Sequence, residues 1–284
     1  MVWLNGKFSS IDDAKVSVFD RGFLYGDGLF ETMRSYAGRV FKLDEHLARL
    51  FCSLEVMRIK PPYSKRYLKD AVYENLKING LKSAYVRLTI TRGKGRFGIL
   101  EKKFSTPSVI IFADEFKEFP QRLYHHGVNA KVVDVKQNEY SAVGSVKSLN
   151  FLNNILARFR AKDEGFDEAI LMNTKALIAE GATSNIFLVK RNIIITPPLE
   201  SGILPGITRE VIIGIAGRLR LKLRERSVSY RELLSSNEVF LTNSLVEILP
   251  VAKVDSKRIG DGYPGPITKL LHISYQKEVI KEVT

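Results

Sequence analysis

Three short segments of this 284-residue chain hold residues whose types and spacing could do chemistry. The first is Gly144-Ser145-Val146-Lys147-Ser148-Leu149-Asn150-Phe151, a lysine among small and polar residues where an amphipathic helix is expected to open. An amine with a lowered pKa is a good Schiff-base nucleophile, although in a chain with 44 Lys plus Arg the ordinary role of a lysine is a surface cation. The second is Ala179-Glu180-Gly181-Ala182-Thr183-Ser184-Asn185, expected as a small-residue turn between two apolar strands. A carboxylate flanked by apolar structure needs a cationic partner; the plainer alternative is a solvated turn glutamate. The third is Leu204-Pro205-Gly206-Ile207-Thr208-Arg209, just ahead of an apolar-periodic helix. Glycine lets backbone approach a ligand closely and the open N–H groups of a first helical turn favour a phosphate; otherwise Thr208 simply caps the helix. His46 and the pair His125-His126 are weaker acid–base candidates, with no metal-ligand spacing around them.

The elements that must position these residues follow from periodicity. Val2 to Leu4 and Lys7-Phe8 flank Asn5-Gly6 and read as a hairpin. Leu29 to Tyr36 and Arg39 to Lys42 form a second strand pair. Asp44 is placed to cap a helix reaching about Met57, with Leu47, Leu50, Phe51 and Leu54 on one face. A helix over Tyr67 to Leu76 ends at Gly80, and Tyr85 to Thr91 and Ser108 to Ala113 are strands by β-branched content. The second half begins with a strand at Val128 to Asp134. A helix from about Leu149 to Lys162 precedes strands at Glu168 to Asn173, Ile186 to Val189 and Ile193 to Thr196. Thr208 to Leu219 is helical, Val239 to Thr242 a strand, and Ile267 to Lys281 a closing helix. Strands and helices in separate groups make an α+β pattern. The expected division is a small N-terminal α/β domain over 1–115, an inter-domain segment over 116–127 around Pro120, and a larger domain over 128–284.

Composition narrows the class. Hydrophobic residues make up 45% of the chain, and charges interrupt every apolar run well before the roughly 18 residues a membrane span needs. Met1 to Gly6 has no basic start followed by an apolar core, so no secretory signal is expected, and Cys52 is the single cysteine. A cytoplasmic enzyme fits. The formal charge of +13 is spread along the chain, and its densest stretch, Arg218 to Arg224, alternates with leucine as a half-buried strand or helix end would. No nucleic-acid-binding signature accompanies it, and neither nucleic acid nor membrane is an expected partner.

In order and spacing, the motif blocks resemble the class IV pyridoxal-phosphate enzymes. That family holds the branched-chain aminotransferases, D-amino-acid aminotransferases and 4-amino-4-deoxychorismate lyases. The blocks are Phe19 to Glu31, Leu43 to Leu50, Val146 to Asn150, Ala179-Glu180-Gly181, Leu204 to Arg209, Phe240 to Ser244 and Gly265 to Thr268. So many ordered blocks are specific where one short motif would not be. The resemblance implies fold type IV, with a β-barrel-like core in the larger domain, pyridoxal phosphate as cofactor and a homodimer. It implies that Lys147 forms the Schiff base and, once released, takes the Cα proton. Glu180 would pair with the pyridinium nitrogen. Arg49 would bind the phosphate with the backbone N–H groups of Ile207 and Thr208 and the Asn243-Ser244 turn. Phe30, Thr32, Tyr85 and Arg87 fall where the family builds its substrate pocket, and Arg92 competes with Arg87 for a substrate carboxylate.

The reaction is the finer question. Thr32, Ser184-Asn185 and Thr242-Asn243-Ser244 look more like the lyases, which release pyruvate from aminodeoxychorismate to give p-aminobenzoate. The Tyr85-Val86-Arg87-Leu88 and Lys147 to Asn154 stretches also resemble branched-chain aminotransferases, with an amino acid donor and a 2-oxo acid such as 2-oxoglutarate as acceptor. Many of those carry tyrosine where Phe151 stands, and phenylalanine cannot donate that hydrogen bond. The lyase is the first expectation, the branched-chain L-aminotransferase the alternative, and the D-amino-acid aminotransferase third. An inactive basic binding module is the remote reading, against which the retention of Lys147, Glu180 and Arg49 argues.

Overall fold

The computed structural model describes residues 1–95 and 106–283, and the chain divides into two compact units. The first takes in Met1–Lys117, Val146–Asn150 and Val279–Thr284; the second takes in Glu118–Ser145 and Phe151–Glu278.

Nine elements of the first unit come in chain order: β1 (Val2–Leu4), β2 (Lys7–Ser9), α1 (Arg21–Tyr25), β3 (Gly28–Tyr36), β4 (Arg39–Val40), α2 (Leu43–Val56), α3 (Lys65–Ile78), β5 (Ala84–Thr91) and β6 (Val109–Glu115). The strands make one six-stranded sheet in the order β2-β1-β6-β5-β3-β4, with every pairing antiparallel. Both expected hairpins form, because Asn5-Gly6 and Ala37-Gly38 all take the positive φ that a tight two-residue turn requires. Alternation along β3 and β5 sorts the sheet into two faces. Leu29 and Met33 of β3, with Val86, Leu88 and Ile90 of β5, pack into one core with Leu47, Leu50 and Leu54 of α2 and Leu68, Val72 and Leu76 of α3. Phe30, Thr32 and Arg34 therefore occupy the opposite face, paired in register with Thr89, Arg87 and Tyr85. Asp44 does not cap α2: the cap position is Lys42, in left-handed conformation, while Asp44 lies in the first turn and holds Lys69 at 2.8 Å.

The second unit contains α4 (Arg122–His126), β7 (Val128–Gln137), α5 (Leu152–Asp163), β8 (Glu168–Asn173), β9 (Ile178–Gly181), β10 (Asn185–Lys190), β11 (Ile193–Thr196), α6 (Ile207–Arg218), β12 (Lys222–Glu225), α7 (Tyr230–Leu234), β13 (Glu238–Asn243), β14 (Glu247–Val254) and β15 (Lys257–Arg258). The closing helix α8 (Pro266–Val283) starts here, and its last residues belong to the first unit. Its nine-stranded sheet runs β12-β11-β10-β13-β14-β7-β8-β9, with β15 on β14. The sheet is mixed: β11 with β12, β14 with β7 and β7 with β8 are parallel, the rest antiparallel.

Two departures from the sequence reading bear on the site. Lys147 does not open a helix, since α5 begins only at Leu152. It sits in an irregular stretch that bridges to β3: Phe30 N–H donates to Lys147 C=O at 3.0 Å and Leu149 N–H to Gly28 C=O at 2.9 Å. Those bonds group Val146–Asn150 with the first unit, although everything past residue 128 was expected in the second. Glu180, expected on a turn, lies within the short strand β9, which pairs with β8.

Candidate active site

Register fixes which first-unit side chains share a face. The isolated bridge pairs Leu29 with Ser148, and the Lys147 amine lies 4.6 Å from the centre of the Phe30 ring. The Arg87 guanidinium lies over the same ring, 3.8 Å from its centre. Thr32 faces Arg87 directly across β3 and β5. The structure thus brings Lys147, Phe30, Thr32 and Arg87 together, with Tyr85 next along the same face and packed at 6.0 Å against Phe112. An amine, a guanidinium and an aromatic wall on one face suit a substrate carrying a carboxylate and an apolar portion.

Arg92 is not part of this group. Its Nε and Nη2 donate to Asp27 at 2.7 and 3.0 Å, and its Nη1 and Nη2 reach the carbonyls of Arg58 and Met57. Asp27 also holds Arg21 at 2.9 Å. The Arg92 fork ties the α1 loop to the end of α2, whereas Arg87 stands over the Phe30 ring.

On the helix side of the sheet, Glu31 receives Arg49 Nε at 2.9 Å on Oε1 and Arg49 Nη2 at 2.6 Å on Oε2. His46 Nδ1 is 2.8 Å from the same Oε2. Burial pushes the Glu31 carboxyl up, but the Arg49 charge and then the His46 hydrogen bond outweigh it and hold the group at about 2. Burial drives His46 down, against the pull of Glu31 and with the Arg49 and Lys147 charges adding to it. The imidazole is therefore neutral near pH 7, and Glu31 requires its Nδ1 to carry the proton. Sequence reading singled out Arg49 and took His46 only as a weaker acid–base candidate, but missed Glu31. The available signal was spacing: Glu31 lies on the side of β3 with Leu29 and Met33, where a glutamate must find a cation.

The second unit assembles a separate set. Glu180 is 7% exposed, and its Oε2 accepts from Asn185 Nδ2 at 3.2 Å and from Leu204 N–H at 3.1 Å. Asn185 Nδ2 also donates to the Leu204 carbonyl at 2.9 Å. Asn185 sits in register with Thr242 across β10 and β13, so both side chains share a face. Helix α6 starts at Ile207 behind Gly206, and no side chain caps it. The first-turn N–H groups of Ile207 and Thr208 thus lie at an uncapped helix start beside Asn185, whose Oδ1 would stand 1.9 Å from a Cβ at Gly206. Thr208 is a first-turn residue and not the cap. Asn243 serves its own turn: Oδ1 accepts from Leu245 and Val246 N–H at 2.8 and 2.9 Å, and Nδ2 donates to the Thr183 carbonyl at 3.1 Å. Ser244 follows it within that turn.

The amino-transferase class IV family model matches residues 28–254. This chain is a class IV aminotransferase-family enzyme. A Methanocaldococcus jannaschii protein assigned to the branched-chain-amino-acid aminotransferases is 40% identical over 99% of this chain and 96% of its own length. The aminodeoxychorismate lyase of Bacillus subtilis is 34% identical over 98% of this chain and 94% of its own. Among solved structures, the branched-chain aminotransferase of Escherichia coli superposes with a TM-score of 0.94 at 32% identity, covering 97% of this chain and 93% of that one. The α+β architecture is that of fold type IV, and the enzyme is pyridoxal-phosphate-dependent as its family is.

The second-unit residues fit that cofactor. Thr242 Oγ1 and Ser184 Oγ are buried without a hydrogen-bond partner, polar atoms a ligand could satisfy. The uncapped start of α6 suits a phosphate, and Glu180 is a buried carboxylate whose orientation two donors fix, as a pyridinium partner requires. No helix among the described residues is long and apolar enough to cross a membrane.

Proposed function

We propose that this enzyme is a branched-chain L-amino-acid aminotransferase, moving the amino group of an L-amino acid with a branched apolar side chain to a 2-oxo acid such as 2-oxoglutarate, as a homodimer. The observation that carries the reading is end-to-end similarity to branched-chain aminotransferases in sequence and in structure. The lyase expectation gives way to this alternative. It rested on the lyase-like residues Thr32, Ser184-Asn185 and Thr242-Asn243-Ser244, whereas identity over the whole chain is 40% to the branched-chain aminotransferase relative against 34% to the lyase.

Bound pyridoxal phosphate supplies an aldehyde that condenses with amines and a ring that accepts the electrons left on Cα. Lys147 would hold the aldehyde through its Nζ and, once released, that amine would take the Cα proton. Glu180 would accept a hydrogen bond from the ring nitrogen and keep it protonated, with Asn185 and Leu204 N–H holding the carboxylate in place. Arg49, the Ile207 and Thr208 N–H groups and the Asn243-Ser244 turn would hold the phosphate. Arg87 takes the substrate carboxylate, with Phe30 as an apolar wall and Thr32 and Tyr85 beside it.

The test offers the purified enzyme L-leucine with 2-oxoglutarate, D-alanine with 2-oxoglutarate, and aminodeoxychorismate in parallel. Leucine should give the highest kcat/KM, by about tenfold or more, a difference of roughly 1.4 kcal/mol in transition-state binding. Lys147→Ala should abolish turnover of whichever substrate wins. A higher kcat/KM for pyruvate release from aminodeoxychorismate would restore the lyase, and one for D-alanine would reverse the stereochemistry.

A further inference from the structure

Glu31 is a costly residue for its position. Its neighbours on that side of the sheet are Leu29, Met33, Leu88 and the leucines of α2, and its side chain is 1% exposed. Carrying an ionised carboxylate into such a core costs several kcal/mol, and apolar replacement of a buried ion pair often stabilises a fold. A leucine would pack here without that cost, so fold stability alone does not account for a glutamate.

What Glu31 does is immobilise Arg49. Both carboxylate oxygens bind the guanidinium, through Nε and Nη2, and this two-point contact fixes the plane of the fork as well as its place. His46, three residues before Arg49 on α2, bonds Oε2 and stops the carboxylate turning with its partner. Ionised Glu31 also cancels the Arg49 charge, and neutral His46 adds none. Whatever Arg49 gains from the pair is therefore orientation and not charge.

We propose that Glu31, backed by His46, is a positioning residue that orients Arg49 toward the phosphate of the cofactor; this rests on the reading that Arg49 is a phosphate ligand. The sign of one substitution separates the two effects Glu31 could have. If its charge were what mattered, removing it would strengthen the pull of Arg49 on a dianion. If its geometry matters, removing it weakens phosphate binding.

Full-length apoprotein is titrated with pyridoxal phosphate and, separately, with pyridoxal, which lacks the phosphate, following ligand absorbance. Glu31→Gln should bind pyridoxal phosphate about tenfold more weakly, the scale of one charged hydrogen bond, and pyridoxal as wild type does. In an Arg49→Ala background the same substitution should add nothing, since Glu31 acts through Arg49. If the Gln variant does not fold, Glu31→Asp keeps the charge but withdraws it by one methylene, and the same phosphate-selective loss is expected. Unchanged or tighter binding of pyridoxal phosphate, an equal loss for both ligands, or an undiminished loss in the Arg49→Ala background would each overturn the positioning role. Loss in Arg49→Ala with none in the Glu31 variants fells that role alone. Intact affinity in Arg49→Ala fells the phosphate reading and the positioning role with it.

Discussion

Glu31 couples the stability of the first unit to pH. The groups facing it are Arg49 and His46 of α2, and its carboxyl is held at about 2 against an ordinary 4.5. A depressed carboxyl contributes stability that is fully present above pH 4.5 and is lost as pH falls toward 2. Its size is on the order of 3 kcal/mol, the equivalent of the shift for a wholly buried group. His46 acts in the same direction, because its lowered pKa means that charging it in acid opposes the fold. Wild type should therefore lose stability between pH 4.5 and 2 more steeply than Glu31→Gln. Parallel denaturation midpoints across that window would count against the buried pair. Five further residues show how far side-chain type alone reached. Lys147, Glu180 and Arg49 could be picked out because their types match the family blocks. That Arg92 is tied to Asp27 and that Asn243 folds onto its own turn could not, because those contacts join residues far apart in sequence or depend on a local turn.

At the scale of elements, the start of α6 is the most exacting part of the second unit. Gly206 is needed there for space, with an ordinary φ of -73. A Cβ would land 1.9 Å from Asn185 Oδ1, and Asn185 in turn positions Glu180. Gly206→Ala should displace Asn185 and weaken pyridoxal phosphate binding by about tenfold, with a smaller change in thermal midpoint, since the displaced amide makes two charged or backbone hydrogen bonds. Cofactor affinity equal to wild type in that variant would show that the entry has room to spare. The helix itself was legible from its apolar period and its Leu-Pro-Gly start. Strand β9 was not: four residues are too few to show alternation, and only pairing with β8 makes Glu180 a strand residue. Strand β12 explains the basic run Arg218 to Arg224 differently. Its second half pairs on one side only, parallel to β11, and Lys222 and Arg224 on such an edge discourage further strand addition.

For the molecule as a whole, each unit leaves apolar side chains in the open. In the first, Phe23 is 74% and Tyr25 42% exposed. In the second, Leu152, Ile155, Leu156 and Phe159 follow the spacing of one helical stripe along α5, and all four are exposed. Exposed apolar surface of this kind marks protein contacts, and it supports the proposed homodimer. Light scattering at assay concentration should give twice the chain mass of 32.1 kDa, and Phe23→Asp should shift the population toward monomer with loss of activity. A fully active wild-type monomer would remove the dimer from the mechanism.

The amino-acid sequence by itself determined the family and the cofactor. Ordered motif blocks and hydrophobic periods are local properties, and the chain carries them wherever it folds. Tertiary structure decided the rest. It placed Lys147 on the edge of β3 and not on a helix, through two backbone hydrogen bonds between segments over a hundred residues apart. It tied Arg92 to Asp27 and the Asn243 amide to the Thr183 carbonyl, and it buried Glu31 against Arg49. Each of these outcomes turns on which face of a strand meets which helix, and a one-residue change of register would reverse it. Periodicity announces that a face exists, but only pairing and packing choose its neighbour.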